Sequence, residues 1–192
     1  MKNVIDFTEE MKAQMKAWKG QIFHDYIENG EDGYVTIVRF NIGDKAFDLD
    51  NDFVIYTDSD GKETEEIEFS CFSCVETDSN KKLQTSIVGG KCRKNLIGEK
   101  IRDVFIVRQT EKDTYPDEDK SYDFSWDAAL MIQTERRFYV FWRRLIFNNV
   151  EVAVSDDMES AMAVIEKDDT MVSSSEEEPV PAIVLEENVI RL

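Results

Sequence analysis

The feature of this sequence that most restricts its fold is an apolar residue at every second position along Tyr122–Gln133. A period of two places alternate residues on opposite faces of a strand. A second apolar segment, Phe138–Arg144, follows after the four polar residues Thr134–Arg137, so the two segments predict a β-hairpin. The first strand of this hairpin would carry Phe124, Trp126, Ala128, Leu130 and Ile132 on one face and Ser125, Asp127, Ala129, Met131 and Gln133 on the other.

The segment between the N-terminal region and this hairpin shows the same period of two. Strands are predicted at Tyr34–Phe40, Lys45–Leu49, Phe53–Thr57 and Glu66–Val75, with a further candidate at Lys82–Val88. The Asp-rich sequences Asp50–Asp52 and Asp58–Gly61 are typical of turns, and Gly89–Gly90 predicts another. Short turns between successive strands indicate an antiparallel arrangement.

Three more segments complete the predicted sheet and its connections. Ile101–Arg108 is apolar on both faces, which is typical of a central strand. Residues 111–123 are polar and include Pro116, so we expect an exposed loop there. Val150–Val154 is predicted to be the last strand before a C-terminal helix.

Helical spacing appears at two places. Apolar residues recur every three or four positions along Thr8–Ile27, with Thr8 as the expected N-cap and Asn29–Gly30 as the stop. A second, shorter helix is expected after Ser155, its predicted cap. Its inward residues would be Met158, Ala161, Met162 and Ile165.

These elements predict an α+β fold in which an N-terminal helix packs on a mainly antiparallel sheet of about seven or eight strands, followed by a short C-terminal helix and an acidic tail. We expect residues 1–168 to form a single domain. Residues 169–192 form an acidic Ser/Glu/Pro linker and an apolar C-terminal segment, a composition that favours flexibility. The apolar part of this tail suits strand addition to a sheet edge, in this chain or in a partner.

The charge of the chain restricts its partners. The formal net charge is -18, and residues 155–192 alone carry 11 acidic and two basic residues. Such a field repels nucleic acid and anionic membranes and attracts basic proteins. The chain has no apolar run long enough for a membrane span, its first residues lack the pattern of a secretory signal, and its three cysteines do not form a disulfide framework. A cytoplasmic location is therefore expected.

The residues that usually carry chemistry form no recognised motif. Cys71 and Cys74 have the spacing of a redox or zinc pair but lie in a predicted strand that sends them to opposite faces, and neither they nor Cys92 has a fourth ligand nearby. The only histidine, His24, is expected on the N-terminal helix, either at its surface or in packing contacts, without a catalytic role. The Asp48–Asp52 sequence fails as a calcium loop because Phe53 occupies the position of the required glycine. The sequence therefore predicts no catalytic residue, cofactor or metal ligand, and it favours a role other than that of an enzyme.

Basic residues nevertheless form two clusters. The first contains Lys91, Arg93, Lys94, Lys100 and Arg102, and the second contains Arg136, Arg137, Arg143 and Arg144 around an aromatic strand. Basic and aromatic residues together can bind nucleic acid, but the net charge favours internal ion pairs or a protein interface rich in arginine.

The composition thus favours an acidic cytoplasmic protein that binds a basic protein partner, such as an immunity protein, an antitoxin or an inhibitor. The expected contacts are the acids Asp117, Glu118, Asp119, Asp156, Asp157 and Glu159. Two alternatives remain open at this point: an enzyme that uses carboxylate or cysteine chemistry, and an assembly subunit that associates through its C-terminal segment.

Overall fold

A computed structural model describes residues 2–31, 34–57, 66–83, 91–115, 120–143, 149–165 and 182–192. These residues form ten strands and two helices. In chain order the elements are β1 Lys2–Ile5, α1 Glu9–Lys16, β2 Ile22–Glu31, β3 Tyr34–Ile42, β4 Lys45–Thr57, β5 Glu66–Thr77, β6 Lys91–Tyr115, β7 Lys120–Thr134, β8 Phe138–Arg143, β9 Val150–Ser155, α2 Met158–Ala163 and β10 Ala182–Arg191. The predicted α+β class is consistent with this arrangement, although the sheet dominates and has more strands than expected.

The 25-residue strand β6 organises the sheet, whose main path runs β5-β4-β3-β2-β6-β7-β8-β9. Residues 91–100 of β6 pair with β2, whereas residues 101–115 pair with β7. All pairs are antiparallel except that of β1 with β7. The strand β6 therefore joins two halves, one containing β2–β5 and the other containing β7–β9.

Aromatic side chains from the two halves meet in the main core. Phe141 of β8 lies 4.7 Å, centroid to centroid, from Phe40 of β3 and 5.5 Å from Tyr26 of β2. The ring of Tyr139 of β8 lies 5.5 Å from the ring of Phe23 of β2, also edge to face. The sheet therefore folds over on itself, and burial of these rings is the main stabilising contribution between the halves.

A smaller core lies on the opposite face of the second half. It contains Phe105 and Val107 of β6 and Val140 of β8, with Ala161 and Ile165 from the α2 region packed against them. Their neighbours in sequence, such as Val104 and Ile106, belong to the main core. The prediction that β6 is a central strand with two apolar faces is confirmed.

The first helix is shorter than the sequence predicts. Thr8 accepts a hydrogen bond from the backbone N–H of Met11, which confirms it as the N-cap of α1. The helix ends at Lys16, and Gly20 then adopts a φ of 87°, a conformation that favours glycine. The predicted helical segment Ile22–Ile27 is instead part of β2, and His24 lies in this strand.

Two predicted interruptions of the sheet are also wrong. The expected turn Asp50–Asp52 lies inside the continuous strand β4, where Asn51 is buried and donates a hydrogen bond to the backbone carbonyl of Asn149. The expected loop 111–123 belongs largely to β6 and β7, and Glu111 is buried. In both places, cross-strand contacts outweigh the local turn propensity of polar residues.

Other predicted elements are observed with small changes. The strand predictions Tyr34–Phe40 and Glu66–Val75 correspond to β3 and β5, and the predicted hairpin corresponds to β7 and β8. The N-cap of α2 is Asp157 rather than Ser155, since the Asp157 side chain accepts from the backbone N–H of Ser160. The predicted turns Asp58–Gly61 and Gly89–Gly90 lie outside the described residues, as do residues 84–88 of the candidate strand Lys82–Val88, while Lys82 itself is not in a strand.

The apolar C-terminal segment adds a strand to the sheet of its own chain. Residues of β10 pair with β6 in antiparallel register from Thr114 to Phe105. Arg191 donates two hydrogen bonds to Asp103, of 3.0 and 2.6 Å, and Ile190 and Leu192 pack against the main core. β10 lies on the side of β6 opposite β7, because both strands pair with the same residues of β6.

Candidate protein-interaction surfaces

The predicted acidic contacts fall into two groups. Asp117, Glu118 and Asp119 lie outside the described residues. Asp156, Asp157 and Glu159 are all exposed at the start of α2. The structure therefore places only the second group, on the end of the helix that covers the smaller core.

The three acids at α2 differ in whether their carboxylates form hydrogen bonds or ion pairs within the protein. Asp157 caps the helix, and the hydrogen bonds from Ser160 hold the pKa of its carboxyl below the usual range. Asp156 and Glu159 form no ion pair with any lysine or arginine of the described part of the chain. Residues 149–165 include these acids and Glu151 but no lysine or arginine, although the pairing of Phe138 with Ser155 brings the exposed Arg137 near the start of α2.

Several other acids are used to hold strands together. The Arg39 guanidinium of β3 forms a two-point bond with Asp48 of β4, at 2.6 and 2.8 Å, and also donates to the carbonyl of Lys81. Only 3% of Arg39 is exposed. Such a bidentate pair is structural, because both oxygens of the carboxylate are occupied by the guanidinium.

The buried carboxylate of Asp127 ties the N-terminal segment to β7. One oxygen accepts the backbone N–H of Phe7 at 2.8 Å, and the other accepts Arg108 Nε at 2.9 Å. Burial raises the pKa of Asp127 even though Arg108 favours its ionised form. A raised carboxyl pKa can indicate a catalytic acid, but here the nearby groups are structural partners.

The groups considered for catalysis do not converge. Cys74 is buried in the main core, and burial raises the pKa of its thiol, which disfavours the reactive thiolate. Cys92 is exposed on β6, and His24 is exposed on β2. No group of three or more His, Cys, Asp or Glu residues among those described is arranged to hold a metal ion.

A small polar cluster lies where β2 meets the first half of β6. Asn95 Nδ2 donates to Glu28 Oε1 at 3.1 Å, and burial raises the pKa of Glu28. Burial, together with the nearby Glu28 carboxylate, raises the pKa of Tyr26 to about 12. The positive charge of nearby Arg93 partly offsets the increase in the pKa values of Glu28 and Tyr26. We interpret this cluster as the polar border of the aromatic core.

The first basic cluster of the sequence follows one edge of the sheet. Lys91, Arg93, Lys94, Lys100 and Arg102 are all exposed along β6. β2 pairs with one side of residues 91–100, and β7 begins to pair only at Ile101. Within the described ranges, no strand pairs with the other side of residues 91–100. We call these ten residues the basic edge.

Two arginines of the second basic cluster lie beside this edge. Arg136 and Arg137 are exposed in the turn between β7 and β8. The turn contacts the basic edge because Thr134 Oγ1 donates to Glu99 Oε2 at 2.6 Å. Arg143, in contrast, is buried at the end of β8 with its guanidinium carbon 5.7 Å from the centre of the Trp126 ring. Arg144 lies outside the described residues.

The fold thus brings together basic residues that are about 40 positions apart in sequence, and the sequence alone does not predict this proximity. Neither helix of the described residues is long and apolar enough to cross a membrane. Comparison with protein-family models, curated proteins and solved structures finds no match for this chain.

Proposed function

We propose that this chain is an acidic cytoplasmic protein that binds and neutralises a basic protein partner, as an immunity protein, antitoxin or inhibitor does. The observation that carries this proposal is the exposure of Asp156 and Glu159 at the start of α2, without a basic residue in the surrounding segment 149–165. Carboxylates in this setting accelerate encounter with a cationic surface, because their charge is not neutralised internally.

The internal ion pairs support a distinction between acids that stabilise the fold and acids that are available to a partner. Asp48, Asp127 and Asp103 each bond to an arginine within the protein. The acids near α2 therefore contribute more to the external field than these three do. The two cysteines whose side chains are described are unpaired, which suits a reducing cytoplasm.

The packing of α2 also suits a binding surface. Ala161 and Ile165 anchor this region on the smaller core, so the acids are held on a packed element rather than a free loop. A preorganised surface loses less conformational entropy on binding than an unstructured one.

The test is a pull-down with the tagged full-length chain from the source cell, at low and at raised salt. The test variant is Asp156→Lys/Glu159→Lys. The matched control is Glu10→Lys/Asp44→Lys, which makes the same change in net charge at two exposed residues elsewhere. Asp157 stays unchanged because it caps α2.

We expect one basic protein to be captured by the wild type and the control, and its association rate constant to fall about tenfold in the test variant. The rate for the wild type should also fall as salt rises. Equal association rates for the test and control variants would contradict a role for the α2 surface, and failure to capture any basic protein would refute the proposed function.

A further inference from the structure

We propose that the basic edge binds an extended acidic peptide segment of a partner, which would add a strand to the sheet beside β6. This inference does not depend on the proposed function, because it concerns a different surface of opposite charge.

The position of β6 in the sheet favours strand addition. Its residues 101–115 have β7 on one side, and residues 105–114 also have β10 on the other. Its residues 91–100 have only β2 among the described strands. An edge of this kind presents backbone N–H and C=O groups at every second residue, and an incoming strand can pair with them.

The charge of the basic edge favours an acidic ligand. The basic edge carries four basic residues and one acid in a protein whose formal net charge is -18. Lys94 is ion-paired with Asp25 at 3.0 Å, and the single acid, Glu99, is bonded to Thr134. The turn residues Arg136 and Arg137 add positive charge at that end. Lysines on an edge oppose pairing with an identical edge of a second copy, but they attract an acidic strand.

An exposed apolar side chain lies in the middle of the basic edge. Leu96 is 81% exposed, which is the largest exposed fraction of any large apolar side chain that the structure describes. It lies opposite Asp25 in the β2 register, on the outer face with Lys94, while Asn95 lies on the inner face opposite Tyr26. An incoming strand would therefore place its apolar side chains on the face of Leu96 and its acidic side chains on the opposite face, beside Lys91 and Arg93.

The length of the site follows from Gly98. This residue has a φ of 69°, and the register of β2 with β6 is irregular nearby. An irregularity interrupts regular pairing, so a straight partner strand would extend along residues 91–97, about 23 Å at about 3.3 Å per residue. The preferred ligand is thus a short peptide with alternating acidic and β-branched residues.

The experiment titrates the full-length chain with a fluorescent, terminally capped octapeptide of alternating valine and glutamate. A valine–lysine octapeptide and a single-stranded oligonucleotide of twelve thymidines serve as comparison ligands. The test variant is Lys91→Glu/Arg136→Glu, and the matched control is Lys16→Glu/Lys45→Glu, at two exposed lysines outside the basic edge. Circular dichroism spectra check that both variants fold.

We expect only the acidic peptide to bind, about tenfold more weakly to the test variant and within about twofold of wild type to the control. Amide hydrogen exchange distinguishes strand pairing from simple charge attraction, because only pairing protects the backbone amides. On peptide binding, alternate amides of residues 91–97 should exchange about tenfold more slowly, because they donate to the new strand.

Peptide binding without slower exchange at residues 91–97 would overturn strand addition. Tighter binding of the oligonucleotide at the same residues would overturn the proposed ligand class and indicate a nucleic-acid surface. Self-association of the chain that blocks the peptide would show that the occupant is a second copy, and absence of peptide binding would also refute the proposal.

Discussion

Replacement of Phe141 by alanine should sharply destabilise the protein, because this ring joins the two halves of the sheet. Phe141 is fully buried and contacts Phe40 at 4.7 Å and Tyr26 at 5.5 Å, with interplanar angles of 62° and 85°. Truncation of a buried phenylalanine removes its apolar burial and leaves a cavity. We expect the free energy of unfolding to fall by about 3–5 kcal/mol.

A double-mutant cycle with Phe40→Ala isolates the contact between the halves. Edge-to-face aromatic pairs contribute about 0.5–1.5 kcal/mol beyond simple burial, so the coupling free energy should fall in that range. Chemical denaturation followed by tryptophan fluorescence and far-ultraviolet circular dichroism measures it. Trp18 contacts the first half, and Trp126 lies in the second, so coincident transitions would also show that the halves unfold together.

The matched control is Val154→Ala, because Val154 is 44% exposed and its truncation should cost less than about 0.5 kcal/mol. A loss of under 1 kcal/mol for Phe141→Ala, or a coupling free energy near zero, would refute the conclusion that the aromatic core holds the halves together. Separate transitions for the two probes would show that the halves unfold independently.

Three further predictions concern the ionisable groups. The Arg191 guanidinium, together with Lys19, holds the pKa of Asp103 below its usual value, so this pair stabilises the folded state above about pH 4 and loses its effect as pH falls through the lowered pKa. Urea midpoints measured across this range should therefore depend less on pH in Asp103→Asn than in the wild type. Arg39→Ala should lower the free energy of unfolding by about 3 kcal/mol because it leaves Asp48 without its bidentate partner; a loss within 0.5 kcal/mol, about the effect of a surface change, would contradict this. Iodoacetamide labelling followed by peptide mass spectrometry should modify Cys92 in the native protein and Cys74 only after unfolding, and equal labelling rates would disprove the assigned burial.

The hairpin was predictable because apolar residues occupy every second position of its first strand, and the central strand was predictable because it is a short continuous apolar run. Val104 and Val107 lie in different cores, as the period of two requires for a strand buried on both faces. The ends of β6 were not predictable, because polar residues such as Glu111 are buried only through contacts with distant strands.

The N-terminal helix was predicted to extend too far, to Ile27, for a specific reason. The register of β2 with β3 shifts between Phe23 and Asp25, so His24 is an extra residue in the strand. This irregularity places Phe23 and Tyr26 in the same core although they are three positions apart. A spacing of three is typical of a helix, so the sequence pattern alone could not distinguish the two structures.

The proposed surfaces were predictable to different extents. The acids near α2 follow from composition, since charged residues at a helix start are usually exposed. The basic edge does not, because its position depends on where β7 begins to pair with β6, and this register is set by tertiary contacts.

The pairing of β6 has a consequence for folding kinetics. Two of its three partner strands, β2 and β10, are far away in sequence: Tyr26 pairs with Asn95, and Ile190 pairs with Ile106. Long segments must therefore close before either ladder gains its hydrogen bonds, and the entropy of closure opposes the early steps. We expect refolding over milliseconds to seconds, the range of proteins rich in non-local β pairing, with the long central strand exposed to incorrect partners until β2 and β10 dock.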